Sequence, residues 1–240
     1  MSDAICYRDA YVRSVLARVV ETDGAAVTTD ATPFYPGGGG QPADTGWLRV
    51  GDDRAWRVSS ARKVGSEIWH ELEDAAELPA VGATVTVELD WDRRHALMRT
   101  HSALHVLCGV IWRDHQASVT GGNMEPLSGR MDFEFKTMHG DLVAEIERRV
   151  NEEIGADREI RVAVLPRDEA FAIPDLIRTK INLLPAGIEE VRTIEIVGLD
   201  LQADGGTHVA RTGEIGQVRV TGYESKGRIN KRIRIEVLDA

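Results

Sequence analysis

The chain has 240 residues, enough for one large domain or two modest ones and enough to bury a core without disulfide staples. Apolar residues make up 42% and charged residues 28%, which excludes a disordered or fibrous chain. The net charge of −10 is the wrong sign for general phosphate binding, so nucleic-acid contact would have to come from a local basic patch.

No apolar run reaches membrane-spanning length, and the N-terminus MSDAICYRDA lacks a hydrophobic signal core. The sequence therefore predicts a soluble, cytoplasmic protein with no membrane partner, and it assigns no oligomeric state. Two cysteines, Cys6 and Cys108, are too few for a disulfide framework and read as reduced thiols.

From Tyr7 to about Leu89, short β-favouring runs (VRSVLARVV, AAVTTD, WLRV, AWRVSSARKV, EIWHEL, TVTVEL) alternate with turn residues such as Asp23-Gly24 and Gly51-Asp52. This pattern predicts a small β-barrel or meander over residues 1–90. Within it lies ATPFYPGGGGQPADTG, whose glycines Gly37, Gly38, Gly39 and Gly40 add nothing to a core and cost entropy to order. The segment reads either as a functional loop or as a flexible turn between strands.

At Asp90 the pattern changes. DWDRRHALMRTHSALHVLCGVIWRDH carries Ala96, Leu97, Leu104, Leu107 and Ile111 at helical spacing, predicting a long helix that opens a second domain over residues 91–240. DLVAEIERRVNEEI predicts an amphipathic helix with Asp141 near its start and Gly155 just past its end, and DEAFAIPDLIR a shorter helix broken near Pro174. The runs GRMDFEFK, EIRVAVLP, VRTIEIVGLDLQ, QVRVTGY and RIRIEVLD read as strands, so the second domain is α+β with a largely antiparallel sheet.

His101 and His105 stand four apart on the long helix, so both imidazoles leave one face about one turn apart and can converge on one ion. A histidine pair without metal is the alternative from this spacing. A second pair four apart, Asp204 and His208, flanks Gly205 and Gly206. Three imidazoles and a carboxylate suit zinc, whereas magnesium and calcium prefer more oxygens. Cys108 follows His101 by seven residues, about 10 Å along the axis, too far to share an ion, and reads as a small buried apolar residue.

The segments TPFYPGGGGQPADTG, RTHSALHVLCGVIW, GRMDFEF and DGGTHVARTGEIG, in that order and spacing, resemble the alanyl-tRNA editing proteins, stand-alone relatives of the editing domain of alanyl-tRNA synthetase. The resemblance runs from about Arg8 to Leu238. It implies an N-terminal β-barrel carrying the glycine-rich loop, an α+β editing domain with a zinc site on His101, His105 and His208, and trans deacylation of serine or glycine wrongly attached to alanine tRNA. The family motif most often reads Cys-Gly-Gly-Thr-His, so Asp204 stands where a cysteine would. The fourth ligand is then either the Asp204 carboxylate or, in a three-histidine site, water.

The same resemblance implies roles for further residues. Thr120, in SVTGGNM, matches a position supplying a hydroxyl for serine recognition, and is otherwise a turn threonine. Asp132, Gln41 and Thr207 fall in shared motifs, with strand-end bonding, turn formation and capping as their plain roles. The glycine loop, Arg93, Arg94, Arg99 and the C-terminal cluster Lys226, Arg228, Lys231, Arg232 and Arg234 are candidate tRNA contacts, unless they simply pair with surface acids. Two other functions fit the same residues: a non-catalytic tRNA-binding module, and a deacylase for seryl-tRNA(Thr), because threonyl-tRNA synthetase shares a related histidine-pair domain.

Overall fold

The computed structural model describes residues 2–51, 54–73, 76–179, 184 and 187–239. They divide between two compact units, Met1–Ala96 and Leu97–Ala240. The first unit contains β1 (Asp3–Ala4), β2 (Ser14–Asp23), β3 (Ala26–Thr29), β4 (Ala31–Thr32), β5 (Gly46–Val50), β6 (Arg54–Val64), β7 (Glu67–Leu72) and β8 (Thr84–Leu89). Next comes α1 (Trp91–His115), whose first residues belong with the first unit. The second unit continues with β9 (Val119–Glu125), β10 (Ser128–Glu134), α2 (Gly140–Gly155), β11 (Ile160–Pro166), α3 (Arg167–Ala172), β12 (Glu190–Ile196), β13 (Asp200–Ala203), β14 (Gln217–Ser225) and β15 (Asn230–Leu238). Among the described residues, no helix is long and apolar enough to cross a membrane.

Six strands of the first unit close a barrel in the order β2-β3-β7-β6-β5-β8. Alternation puts Val58, Val85, Val87, Leu48, Val27 and Val19 inside, where all are buried. Register shifts in β2 and β6 bend two of the strands, as closure of a small barrel requires. The glycine-rich segment leaves this barrel between β4 and β5 as a built loop rather than a loose turn. Gly38 and Gln41 exchange backbone hydrogen bonds of 3.0 and 2.9 Å across Gly39 and Gly40. Both central residues have positive φ, 58° and 89°, a conformation that glycine adopts without the Cβ penalty.

The second unit is α+β with antiparallel sheets. One has the order β14-β15-β10-β9 and the other β11-β12-β13. Helix α1 is buried on all sides from His101 to Ile111, as a helix between two layers must be. Gly129 of β10 lets that strand approach Thr100 and Leu104, where an added Cβ would lie 3.1 Å from Leu104. Gly109 does the same for the other sheet, its Cβ position being 2.9 Å from Asp200 and Leu199. Positions 100 and 109 lie half a revolution apart at about 100° per residue, so the two sheets clasp opposite faces of the helix. The histidine face falls between them.

Three local readings change. VRTIEIVGLDLQ is two strands, β12 and β13, joined by a turn at Gly198 with φ 78°. VTGGNME, which two glycines make unlike a strand, is β9, held by pairing with β10. Gly155 is the last residue of α2 rather than the residue beyond it, and the left-handed position falls two residues later on Asp157, φ 49°. Helix α3 ends at Ala172, before Pro174.

Candidate metal centre

Helix α1 presents His101 and His105, and the loop after β13 presents Asp204 and His208. One donor atom from each of the four lies within 4.8 Å of every other. The pairs that spacing identified separately therefore converge. Ring centroids are 5.0 Å apart for His101 and His105, 4.2 Å for His101 and His208, and 4.6 Å for His105 and His208. Asp204 Oδ1 lies 3.5 Å from His101 Nε2, and Oδ2 lies 3.1 Å from His208 Nε2. All four side chains are largely buried.

The electrostatics suit ligands. Burial lowers His101 to about 3 and His105 and His208 each to about 4, so all three imidazoles are neutral near pH 7 with lone pairs to donate. Burial opposes ionisation of Asp204, but the facing His101 and His208 more than offset it and hold the carboxyl well below the usual carboxylate range. A tetrahedron with bonds of about 2.1 Å sets its ligand atoms about 3.4 Å apart, close to the 3.5 and 3.1 Å found here. His105 Nδ1 is buried with no hydrogen-bond partner, a cost that a further bonded group would relieve. The residues present thus fit a metal ion, and the nitrogen-rich set excludes calcium or magnesium as the natural occupant.

Supporting residues surround the cluster. Ser102 Oγ lies 3.2 Å from His208 Nδ1 and accepts Val209 N–H at 3.2 Å, fixing the ring from behind. Gly206 N–H donates to Asp204 Oδ2 at 2.6 Å, and Thr207, fully buried, occupies the same loop. Arg192 of β12 donates from Nη1 to the Asp204 carbonyl at 3.0 Å. Sequence reasoning missed both Ser102 and Arg192. Ser102 was legible as a polar neighbour of His101, and Arg192 as a charge sharing a strand face with Ile194 and Ile196.

The other candidates lie outside the cluster. Thr120 is the extra residue of a β-bulge, because Gly121 pairs with Asp132 and Val119 with Phe133. It is exposed, and its hydroxyl donates to Asn230 Oδ1 at 2.8 Å. Asp132 accepts two hydrogen bonds from Arg232, at 2.7 and 2.8 Å. Gln41 is buried at the foot of the glycine turn, while Gly38 and Gly39 are exposed at its tip and Gly37 and Gly40 are half-buried. Arg99 donates to the carbonyls of Ile215 and Leu238 and pairs with Asp239. Lys231 shares the inward face of β15 with Ile233 and Ile235, and its Nζ donates to the carbonyls of Gly227 and Arg228. Arg94 is corrected as a tRNA contact: it is wholly buried on Asp44 and has no surface to offer a phosphate. Cys108 is buried, and burial pushes its thiol up, consistent with an inert core residue.

A barrel followed by an α+β unit with a buried three-histidine, one-aspartate cluster defines a class of two-unit proteins with a ready metal site, and comparison with known proteins makes it particular. The family described as tRNA synthetases class II (A) matches residues 7–93, and the one described as threonyl and alanyl tRNA synthetase second additional domain matches residues 191–234. The alanyl-tRNA editing protein AlaX-M of Saccharolobus solfataricus is 36% identical over 97% of this chain and 98% of its own length. AlaX-M of Methanosarcina mazei is 35% identical, covering 100% of this chain and 98% of its own. The alanine–tRNA ligase of Pyrobaculum aerophilum is 39% identical over 91% of this chain, which spans 25% of that ligase. The chain belongs to the family of alanyl-tRNA editing proteins.

Proposed function

We propose that the protein is a zinc-dependent deacylase that acts in trans, in the cytoplasm, on alanine tRNA mis-charged with serine or glycine. The convergence of His101, His105, Asp204 and His208 into one buried donor set carries this reading, and the full-length likeness to alanyl-tRNA editing proteins supports its substrate class. His101, His105 and His208, with Asp204 as the fourth ligand, would hold the ion, which when bound would polarise and orient the ester carbonyl or, with a coordination position open, activate a water. Ser102 and the Gly206 N–H keep His208 and Asp204 from rotating away.

The substrate ester is intrinsically labile, so positioning and charge stabilisation suffice. Accepting serine while refusing alanine needs a polar group that alanine leaves unpaired. That role is assigned to the Thr120 hydroxyl, with Asp132 and Thr207 of the same unit as further recognition residues; Gln41, in the glycine-rich loop of the first unit, is proposed as a substrate contact in its own right. The side-chain-free tip at Gly38 and Gly39 lets nucleic-acid backbone approach closely. Arg99, Lys231 and Arg232 keep in place the segments facing the tRNA.

The test is deacylation of seryl-, glycyl- and alanyl-tRNA(Ala) and of seryl-tRNA(Thr), before and after chelation. Seryl- or glycyl-tRNA(Ala) is expected to lose its amino acid, alanyl-tRNA(Ala) to be spared, and chelation to abolish the activity until zinc is restored. Zinc-loaded protein that hydrolyses none of the four would reduce the chain to a binding module. Hydrolysis of seryl-tRNA(Thr) alone would move it to the threonine system.

A further inference from the structure

Asp204 is a demanding choice for a metal ligand, because a carboxylate on a glycine-flanked loop must have both its main chain and its oxygens fixed. The main chain is fixed from β12. Arg192 and Asp204 continue the register that pairs Thr193 with Ala203. Asp204 N–H donates to the Arg192 carbonyl at 3.1 Å, and Arg192 Nη1 returns a bond to the Asp204 carbonyl at 3.0 Å. The same nitrogen stands 3.9 Å from Asp204 Oδ2, which already accepts Gly206 N–H, while Oδ1 faces His101. Both side chains are nearly out of solvent, 11% and 12% exposed, so this arrangement is little diluted by water.

We infer that Arg192 is a positioning residue for the metal centre, clamping Asp204 so that its carboxylate meets the three histidines as the fourth ligand. This rests on the metal-centre reading. The sign of the effect separates the clamp from simple charge. A guanidinium beside a dication repels it, so if charge alone mattered, removing Arg192 would tighten metal binding. A clamp predicts the opposite, by the 10- to 100-fold typical of residues that support a ligand.

The experiment uses the full-length, metal-depleted chain titrated with Zn2+ and Co2+ in competition with a chelator. Arg192→Met, Arg192→Lys, Asp204→Ala and the Arg192→Met/Asp204→Ala double variant are compared with wild type, and circular dichroism reports folding. Arg192→Met is expected to bind about 10- to 100-fold more weakly. Its Co2+ visible spectrum should move toward that of Asp204→Ala, and in the Asp204→Ala background the substitution should add nothing. Arg192→Lys keeps the charge without the planar donor geometry and follows Met if the clamp matters; should Arg192→Met not fold, this variant carries the test. Unchanged or tighter binding with an unchanged spectrum overturns the clamp. Wild type that binds neither metal overturns the metal centre itself, a distinct outcome.

Discussion

Removing Asp44 should unseat the glycine-rich loop and much of the first unit's stability with it. Arg94 is completely buried and donates from Nε to both Asp44 oxygens at 3.0 Å, with Nη2 on Oδ2 as well. It also holds the Ala10 carbonyl at 3.0 Å and the Pro33 carbonyl at 2.7 Å. Asp44 in turn accepts Tyr35 N–H at 2.6 Å, closing the loop across Gly37–Gly40. In Asp44→Ala, the guanidinium is left buried and unpaired, at about 3–5 kcal/mol, and the Tyr35 N–H is orphaned at about 1–3 kcal/mol more. A loss of about 4–8 kcal/mol is comparable with the whole stability of many domains. Urea unfolding followed by tryptophan fluorescence reports it, since Trp47, Trp56, Trp69 and Trp91 lie in this unit. Adding Arg94→Met should recover about 2–3 kcal/mol by removing the uncompensated charge, giving strongly non-additive effects in the double-mutant cycle. A cost below about 1 kcal/mol for Asp44→Ala, or additive effects, would refute the claim that this ion pair organises the loop.

Two further outcomes are expected. His70 is wholly buried in the barrel, its Nδ1–H on the Val27 carbonyl at 3.0 Å and Nε2 2.8 Å from the Thr32 hydroxyl, and burial lowers it to about 4. Because the folded value lies below the unfolded one of about 6.5, its contribution is present above pH 6.5 and is lost as pH falls toward 4, reaching about 2 kcal/mol at pH 5. His70→Gln should flatten the unfolding free energy between pH 7.5 and 5 by that amount relative to wild type, and equal slopes would show that His70 is not the titrating group. At the glycine turn, Gly39→Asn should be nearly neutral, because asparagine tolerates φ near +58°, whereas Gly37→Ala meets Ala43 N at 3.1 Å at φ 83° and should cost about 1–3 kcal/mol in the same urea assay. Equal costs would mean the loop is not held as described.

Local chemistry made much of this legible in the sequence. Period-two runs gave the barrel strands, helical spacing gave α1, and the two i, i+4 pairs gave all four residues of the donor set, because each signal depends on neighbours within a turn or a strand. Tertiary structure decided what depends on distant partners. Arg93, Arg94 and Arg99 look alike along one helix, yet only Arg94 is sealed inside, because Asp44 lies fifty positions earlier in sequence. Lys231 and Arg232 look like one basic patch, but strand parity sends the first inward to loop carbonyls and the second outward to Asp132. His101 and His208 become one site only when β12 and β13 pack against the helix face opposite β10, and that same pairing puts Arg192 beside Asp204. The donor set was written in short spacings; its convergence, and the residues that hold it, came from long-range packing that no local period encodes.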